Sequence, residues 1–279
     1  FRNANGELQD LPNTVQIFDT PKSQGGLQFP SQTGRATFLA AAPKGLAKDL
    51  KDIFEYFGFD LNSDPWVVEE MIEKIGIGFM FAPTFHPAMK NVAPARKLIG
   101  KRTAFNLLGP LCNPAKVRHQ MIGVFADKYI ERIVRIMQKN FSDTVLAVRS
   151  DDGMDELSTT SKNKACLLKN EEITEFIIDP SKYNMEKGNL SNIQISTKQE
   201  AIDAFAKVLN NTSNKTMKEI TILNAAGGLL VGGICDRFDE GVELALETIN
   251  NGNAFKKLKQ FTKENNALDK LEEFEWYGK

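Results

Sequence analysis

The stretch "QMIGVFADKYIERIVRIMQKNFSDTVLAVRS", residues 120–150, changes its apolar rhythm twice within thirty-one residues. "QMIGVF" (120–125) is a short apolar run of strand length. "KYIERIVRIMQKN" (128–140) repeats its apolar residues at helical spacing, and "TVLAVRS" (144–150) returns to a β-branched run. A strand, a helix and a second strand in this order predict a parallel pair joined by a right-handed crossover. Outward from this unit, "KACLLKN" and "EITEFIID" meet at Asn170–Glu171 and predict a hairpin or an excursion at the sheet edge.

The flanks are read as mostly helical. "LAKDLKDIFEYFG" places Leu46, Leu50, Ile53, Phe54 and Phe57 on one face, with Gly58 as its stop. "SDPWVVEEMIEKIG" predicts a second helix with Ser63 as N-cap, Pro65 in the first turn and Gly76 at the end. "IGFMF" (77–81) is expected as a short buried strand, and 86–100 as a helix broken near Pro94. Helices are expected over 197–210, 217–234 and 239–264. Residues 1–36 are irregular, with a Gly, Pro, Ser and Gln-rich stretch over 19–35. The class is α/β: one mostly parallel sheet flanked by helices.

The 279 residues are enough for one large domain or two modest ones. Apolar residues at 42% and charged residues at 25% fit an ordinary globular chain. A net charge of −1 gives no global field toward nucleic acid or an anionic membrane, so any anion site must be local. Cys112, Cys166 and Cys235 are far apart and lack metal-ligand spacing, which fits reduced thiols in the cytoplasm. No apolar run approaches the ~18 residues of a membrane span. The start lacks the layout of a signal peptide, and Phe1 in place of Met points to a trimmed or partial chain.

Three stretches could carry chemistry. "GIGFMFAPTFHPAMKNVAPARKLIGKRTAFNLLGPLCNPA" (76–115) sets His86 on a loop, then Lys90, Arg96 and Lys97 on the following helix, then the rigid turn Gly109–Pro110. A guanidinium fork grips a carboxylate bidentately. Read blandly, Arg96 is a solvated surface charge and His86 a loop histidine satisfied by backbone. "RSDDGMDELS" (149–158) holds four carboxylates in six residues directly after a strand. Oxygen ligands there suit Mg²⁺, which takes one or two carboxylates plus substrate phosphates; the bland alternative is a polar turn. "NAAGGLLVGGI" (224–234) reads as close helix packing through small residues, with Asn224 able to face a ligand.

Together these stretches resemble the anthranilate phosphoribosyltransferase family. The run 76–115 is similar to that family over its whole length, "DGMDELS" fits its acidic metal motif, and "NAAGGLLVGG" and "EGVELALETINNGNAFKKL" resemble its closing helices. The likeness runs from about 49 to 260. Residues 1–45 depart from it: the family's "GTGGD" phosphate loop is not found, and "FLAAAPKG" (38–45) stands where the family has "KHGNR".

The resemblance implies a nucleoside phosphorylase/phosphoribosyltransferase-like fold: an α/β domain over 46–279 with a small helical domain, complete or not. Residues 86–110 would contribute to the hinge, and 1–45 would form an atypical N-terminal segment. It implies transfer of phosphoribose from phosphoribosyl pyrophosphate to anthranilate in tryptophan biosynthesis, with Mg²⁺ and a homodimer. Arg96 would bind the anthranilate carboxylate, His86 and Pro110 would line the aromatic pocket, and Met89 would lie near its entrance. Asp155 and Glu156 would bind Mg²⁺ with the pyrophosphate. The alternative is a non-catalytic or truncated member that retains only aromatic-acid binding.

Overall fold

The computed structural model describes residues 16–17, 50–86, 88–99, 108, 111–113, 115 and 117–275. The strand–helix–strand unit forms as its rhythm predicts. Strands β2 (His119–Gly123) and β3 (Thr144–Ser150) pair in parallel, His119 opposite Thr144 and Gly123 opposite Val148. The intervening helix, Ile130–Lys139, buries Ile130, Ile133, Val134 and Met137, which recur at i, i+3, i+4 and i+7. Each such side chain contributes about 1.5–3 kcal/mol when fully buried.

The sheet extends on both sides. β1 (Gln16–Ile17) pairs with β2, and β4 (Asn163–Lys169) pairs with β3 and with β5 (Glu172–Ile178). These three pairings are antiparallel, so among the described residues the sheet is mixed and not mostly parallel as expected: the one parallel pair stands at its centre and antiparallel strands flank it. β4 and β5 follow β3 without the crossover helix that joins parallel neighbours. The expected hairpin joins β4 to β5. Asn170 and Glu171 both have positive φ, 52° and 67°, as a two-residue type I′ turn requires.

The helices are α1 (Leu50–Tyr56), α2 (Pro65–Ile75), α3 (Ala82–Phe85), α4 (Met89–Ile99) and α5 (Ile130–Lys139). They continue as α6 (Lys198–Leu209), α7 (Lys215–Val231), α8 (Phe238–Asn250), α9 (Asn253–Glu264) and α10 (Glu272–Glu275). Alternate residues of β3 face opposite layers. Val145 and Ala147 pack with α5, while Leu146 and Val148 pack with Ile222, Leu223 and Ala226 of α7. A separate aromatic core lies among α1, α2, α6 and α9. There Phe54 stacks on Phe79 with centroids 4.5 Å apart and meets Phe261 edge-on at 5.3 Å.

Four further expectations are corrected. Residues 77–81 form no strand. Gly78 lies against Ile72 and Val68 of α2, and Phe79 is held by Phe54, so this apolar run fills the helical core instead of a sheet edge. The N-cap of α2 is Asp64, one residue later than Ser63, because Pro65 takes the first helical position. Helix α4 continues through Pro94, which sits inside it and lacks only the N–H for the carbonyl of residue 90. The long helix expected over 239–264 is two helices, because Gly252 adopts φ 74° between them. Gly58 and Gly76, by contrast, are left-handed stops where the pattern places them.

Candidate active site

Ser150 ends β3, and the acidic loop leaves from there, at the same sheet edge as the carboxyl end of the parallel neighbour β2. Open α/β sheets present their ligand sites at this edge. Gly153, at φ 96°, makes the bend.

The four carboxylates of the loop divide into two pairs. Asp152 is consumed by the fold: its Oδ1 accepts from the backbone N–H of Met154 at 2.9 Å and its Oδ2 accepts from the Thr160 hydroxyl. Asp151 lies 3.6 Å from the Lys164 ammonium. Asp155 takes part in neither tie and is half-buried. Glu156 is only 2% exposed. Hard carboxylate oxygens, one buried and one reachable from solvent, are a donor set that suits Mg²⁺ completed by substrate phosphates. Among the described residues no three His, Cys, Asp or Glu side chains gather as a protein-only metal cage. Two carboxylates are the protein's usual share in a Mg²⁺ site that substrate phosphates complete.

The loop is held from several directions. Met154 is buried in the aromatic core, and the partly buried Phe79, Met80 and Phe85 pack against the same core, so the acidic loop and the segment leading to His86 are anchored in one apolar cluster. Leu157 is buried in the other core, against the α7 layer. Asn224 of α7 accepts from the Leu157 N–H at 3.0 Å and donates to the Leu157 carbonyl at 2.8 Å. Asn224, which the sequence left able to face a ligand, instead spends its amide on the loop backbone. Asn163, at the start of β4, treats Ser158 in the same way, with bonds of 2.7 and 2.9 Å. Nothing in the sequence distinguished Asn163 from an ordinary polar turn residue.

The cations nearest in sequence are already engaged. Arg149 of β3 donates to Asp127 at 2.7 Å, and Lys164 of β4 bonds the other oxygen of the same carboxylate. Lys164, more than Arg149, holds the Asp127 carboxyl below the usual carboxylate range. Arg149 alternates with Leu146 and Val148, so it projects on the α5 side of the sheet.

His86 follows α3 directly and is half-buried. Met89 and Arg96 lie on α4, the first as its opening residue, with their side chains outside the described part. Pro110 lies outside the described residues. No helix among the described residues is long and apolar enough to cross a membrane.

Comparison with known proteins matches residues 50–255 to the glycosyl transferase family a/b domain. The chain is 52% identical to an anthranilate phosphoribosyltransferase of Nitrosopumilus maritimus over 94% of its own length and 78% of that protein. This covers more than residues 49–260, so the alignment reaches into the first 45 residues. A second relative of the same name, from Cenarchaeum symbiosum, is 41% identical over 75% of this chain and 61% of its own length. Among solved structures, the anthranilate phosphoribosyltransferase of Thermus thermophilus superposes with a TM-score of 0.71 at 30% identity, covering 78% of this chain and 64% of that one. The Saccharomyces cerevisiae enzyme, in complex with PRPP and Mg, shares the fold with a TM-score of 0.70 at 24% identity, over 79% of this chain and 63% of its own.

Proposed function

Because the chain belongs to the anthranilate phosphoribosyltransferase family of glycosyl transferases, we propose that it moves the 5-phosphoribosyl group of phosphoribosyl pyrophosphate onto the amine of anthranilate. The products are N-(5-phosphoribosyl)anthranilate and pyrophosphate, and the reaction belongs to tryptophan biosynthesis. The observation that carries the reading is the sorting of the acidic loop: Asp151 and Asp152 are engaged by the fold, and the adjacent pair Asp155–Glu156 stands at the carboxyl end of β3.

The amine of anthranilate attacks the anomeric carbon as the bond to pyrophosphate breaks. Asp155 and Glu156 would hold Mg²⁺, which supplies Lewis-acid neutralisation of the charge building on pyrophosphate. Arg96 grips the anthranilate carboxylate and aims the amine, an effect of orientation more than of activation. An arylamine is a weak base that sheds its proton readily once bonded, so no strong general base is required. His86 and Pro110 line the aromatic pocket with Met89 near its entrance, and His86 acts by position. Residues 86–110 serve the hinge between a small helical part and the α/β domain, 1–45 form the N-terminal segment, and the chain works as a homodimer. The relatives' names and the yeast complex with PRPP and Mg support this assignment of substrates and cation.

The test is Arg96→Ala. Loss of a charge-assisted bidentate pair raises the anthranilate KM by about 10–100-fold, with the phosphoribosyl pyrophosphate KM little changed. Equal loss for both substrates would count against the assignment.

A further inference from the structure

Leu157 and Ser158 directly follow the acid pair, and each is held by one asparagine in the same manner. Asn224, 1% exposed on α7, exchanges two hydrogen bonds with the N–H and C=O of Leu157. Asn163, fully buried on β4, exchanges two with the N–H and C=O of Ser158. A primary amide carries an acceptor and a donor side by side, so it can pair with both backbone groups of one residue as a neighbouring strand would. Aspartate can only accept, and alanine can do neither. The remaining donor capacity is also used: Asn224 donates to the Ile220 carbonyl at 2.9 Å and Asn163 to the Ile178 carbonyl at 3.2 Å. Those bonds fix each amide against its own element, a helix in one case and the sheet in the other.

We propose that Asn224 and Asn163 are positioning residues that lock the backbone after Glu156, so that Asp155 and Glu156 are set for the cation before it arrives. The role rests on the reading of Asp155 and Glu156 as the Mg²⁺-holding pair. Two consecutive residues pinned from two different layers leave the segment little freedom to swing. Ser158 and Thr160 reinforce it, their hydroxyls 2.9 Å apart and the second bonded to Asp152. Cation affinity then avoids the entropy of ordering the loop.

The experiment uses Mn²⁺ with pyrophosphate as the probe, read by electron paramagnetic resonance, and hydrogen exchange of the Leu157 and Ser158 amides. In the wild-type chain without metal, both amides should exchange as slowly as those of β3, and adding Mn²⁺ and pyrophosphate should change them by less than about twofold. Fast exchange that slows only when metal binds would mean that the cation orders the loop, and would overturn the proposal without any variant. Asn224→Ala and Asn163→Ala should each lower Mn²⁺ affinity by about tenfold, the scale seen when the partner of a metal ligand is removed, with the anthranilate KM unchanged. Binding that is lost in Glu156→Gln but unchanged in both asparagine variants overturns the positioning role alone. Binding that is absent from the wild type, or survives Glu156→Gln, overturns the assignment of the acid pair and the positioning role with it.

Discussion

Gly241 of α8 lies against Ala226 of α7 so closely that a Cβ built on the glycine would stand 2.8 Å from the Ala226 carbonyl oxygen and 3.2 Å from its Cα. The neighbour is backbone, which cannot turn aside as a flexible side chain would. The small residues of "NAAGG" therefore serve backbone contact between the two helices. Gly227 plays a related part toward the sheet, where an added Cβ would meet Met121 of β2 at 2.7 Å.

Gly241→Val should therefore destabilise the fold by about 1–3 kcal/mol, the usual scale of overpacking, despite the better helix propensity of valine over glycine. Urea denaturation measures it as a lower midpoint with an unchanged slope. An unchanged midpoint would mean that α7 and α8 separate without cost.

Phe54 carries the aromatic core, buried between the Phe79 stack and the Phe261 edge. Phe54→Ala should cost about 3–5 kcal/mol. Because Met154 of the acidic loop shares this core, substrate affinity should fall as well. A loss below about 1 kcal/mol in the same unfolding experiment would contradict the packing.

The three thiols should react unequally. Cys112 is exposed, while Cys166 and Cys235 are buried. Burial, and next Glu175, pushes the Cys166 thiol up to about 11, and burial raises Cys235 too. The native chain at mildly alkaline pH should show one fast thiol, and all three after denaturation. The sign of the linkage follows. Between the unfolded thiol's value near ~8.5 and about 11, the folded Cys166 keeps its proton while the unfolded one loses it. Stability therefore falls as pH rises through that window, and Cys166→Ala should flatten the fall.

What the sequence told and withheld follows from the range of each interaction. The β2–α5–β3 unit was legible because its periods of two and 3.6 are local. The turn at Asn170–Glu171 was legible as a break between two strand-like runs. The acidic loop was legible as a dense charged run after a strand. Residues 77–81 were not, because a short apolar run buries equally well in a sheet or among helices, and only the contact with α2 decides. Pro94 reads as a breaker, yet a helix tolerates one missing bond. The role of Asn224 was hidden because its partner Leu157 is 67 residues away, and Asn163 because a buried amide and a turn amide look alike in sequence.

The most direct test of the transferase assignment is calorimetric titration of the chain with phosphoribosyl pyrophosphate, with and without Mg²⁺, alongside anthranilate. Donor binding is expected in the micromolar range, requiring Mg²⁺ and lost in Asp155→Ala. Donor binding that is indifferent to Mg²⁺, or anthranilate binding with no donor binding at all, would contradict the assignment.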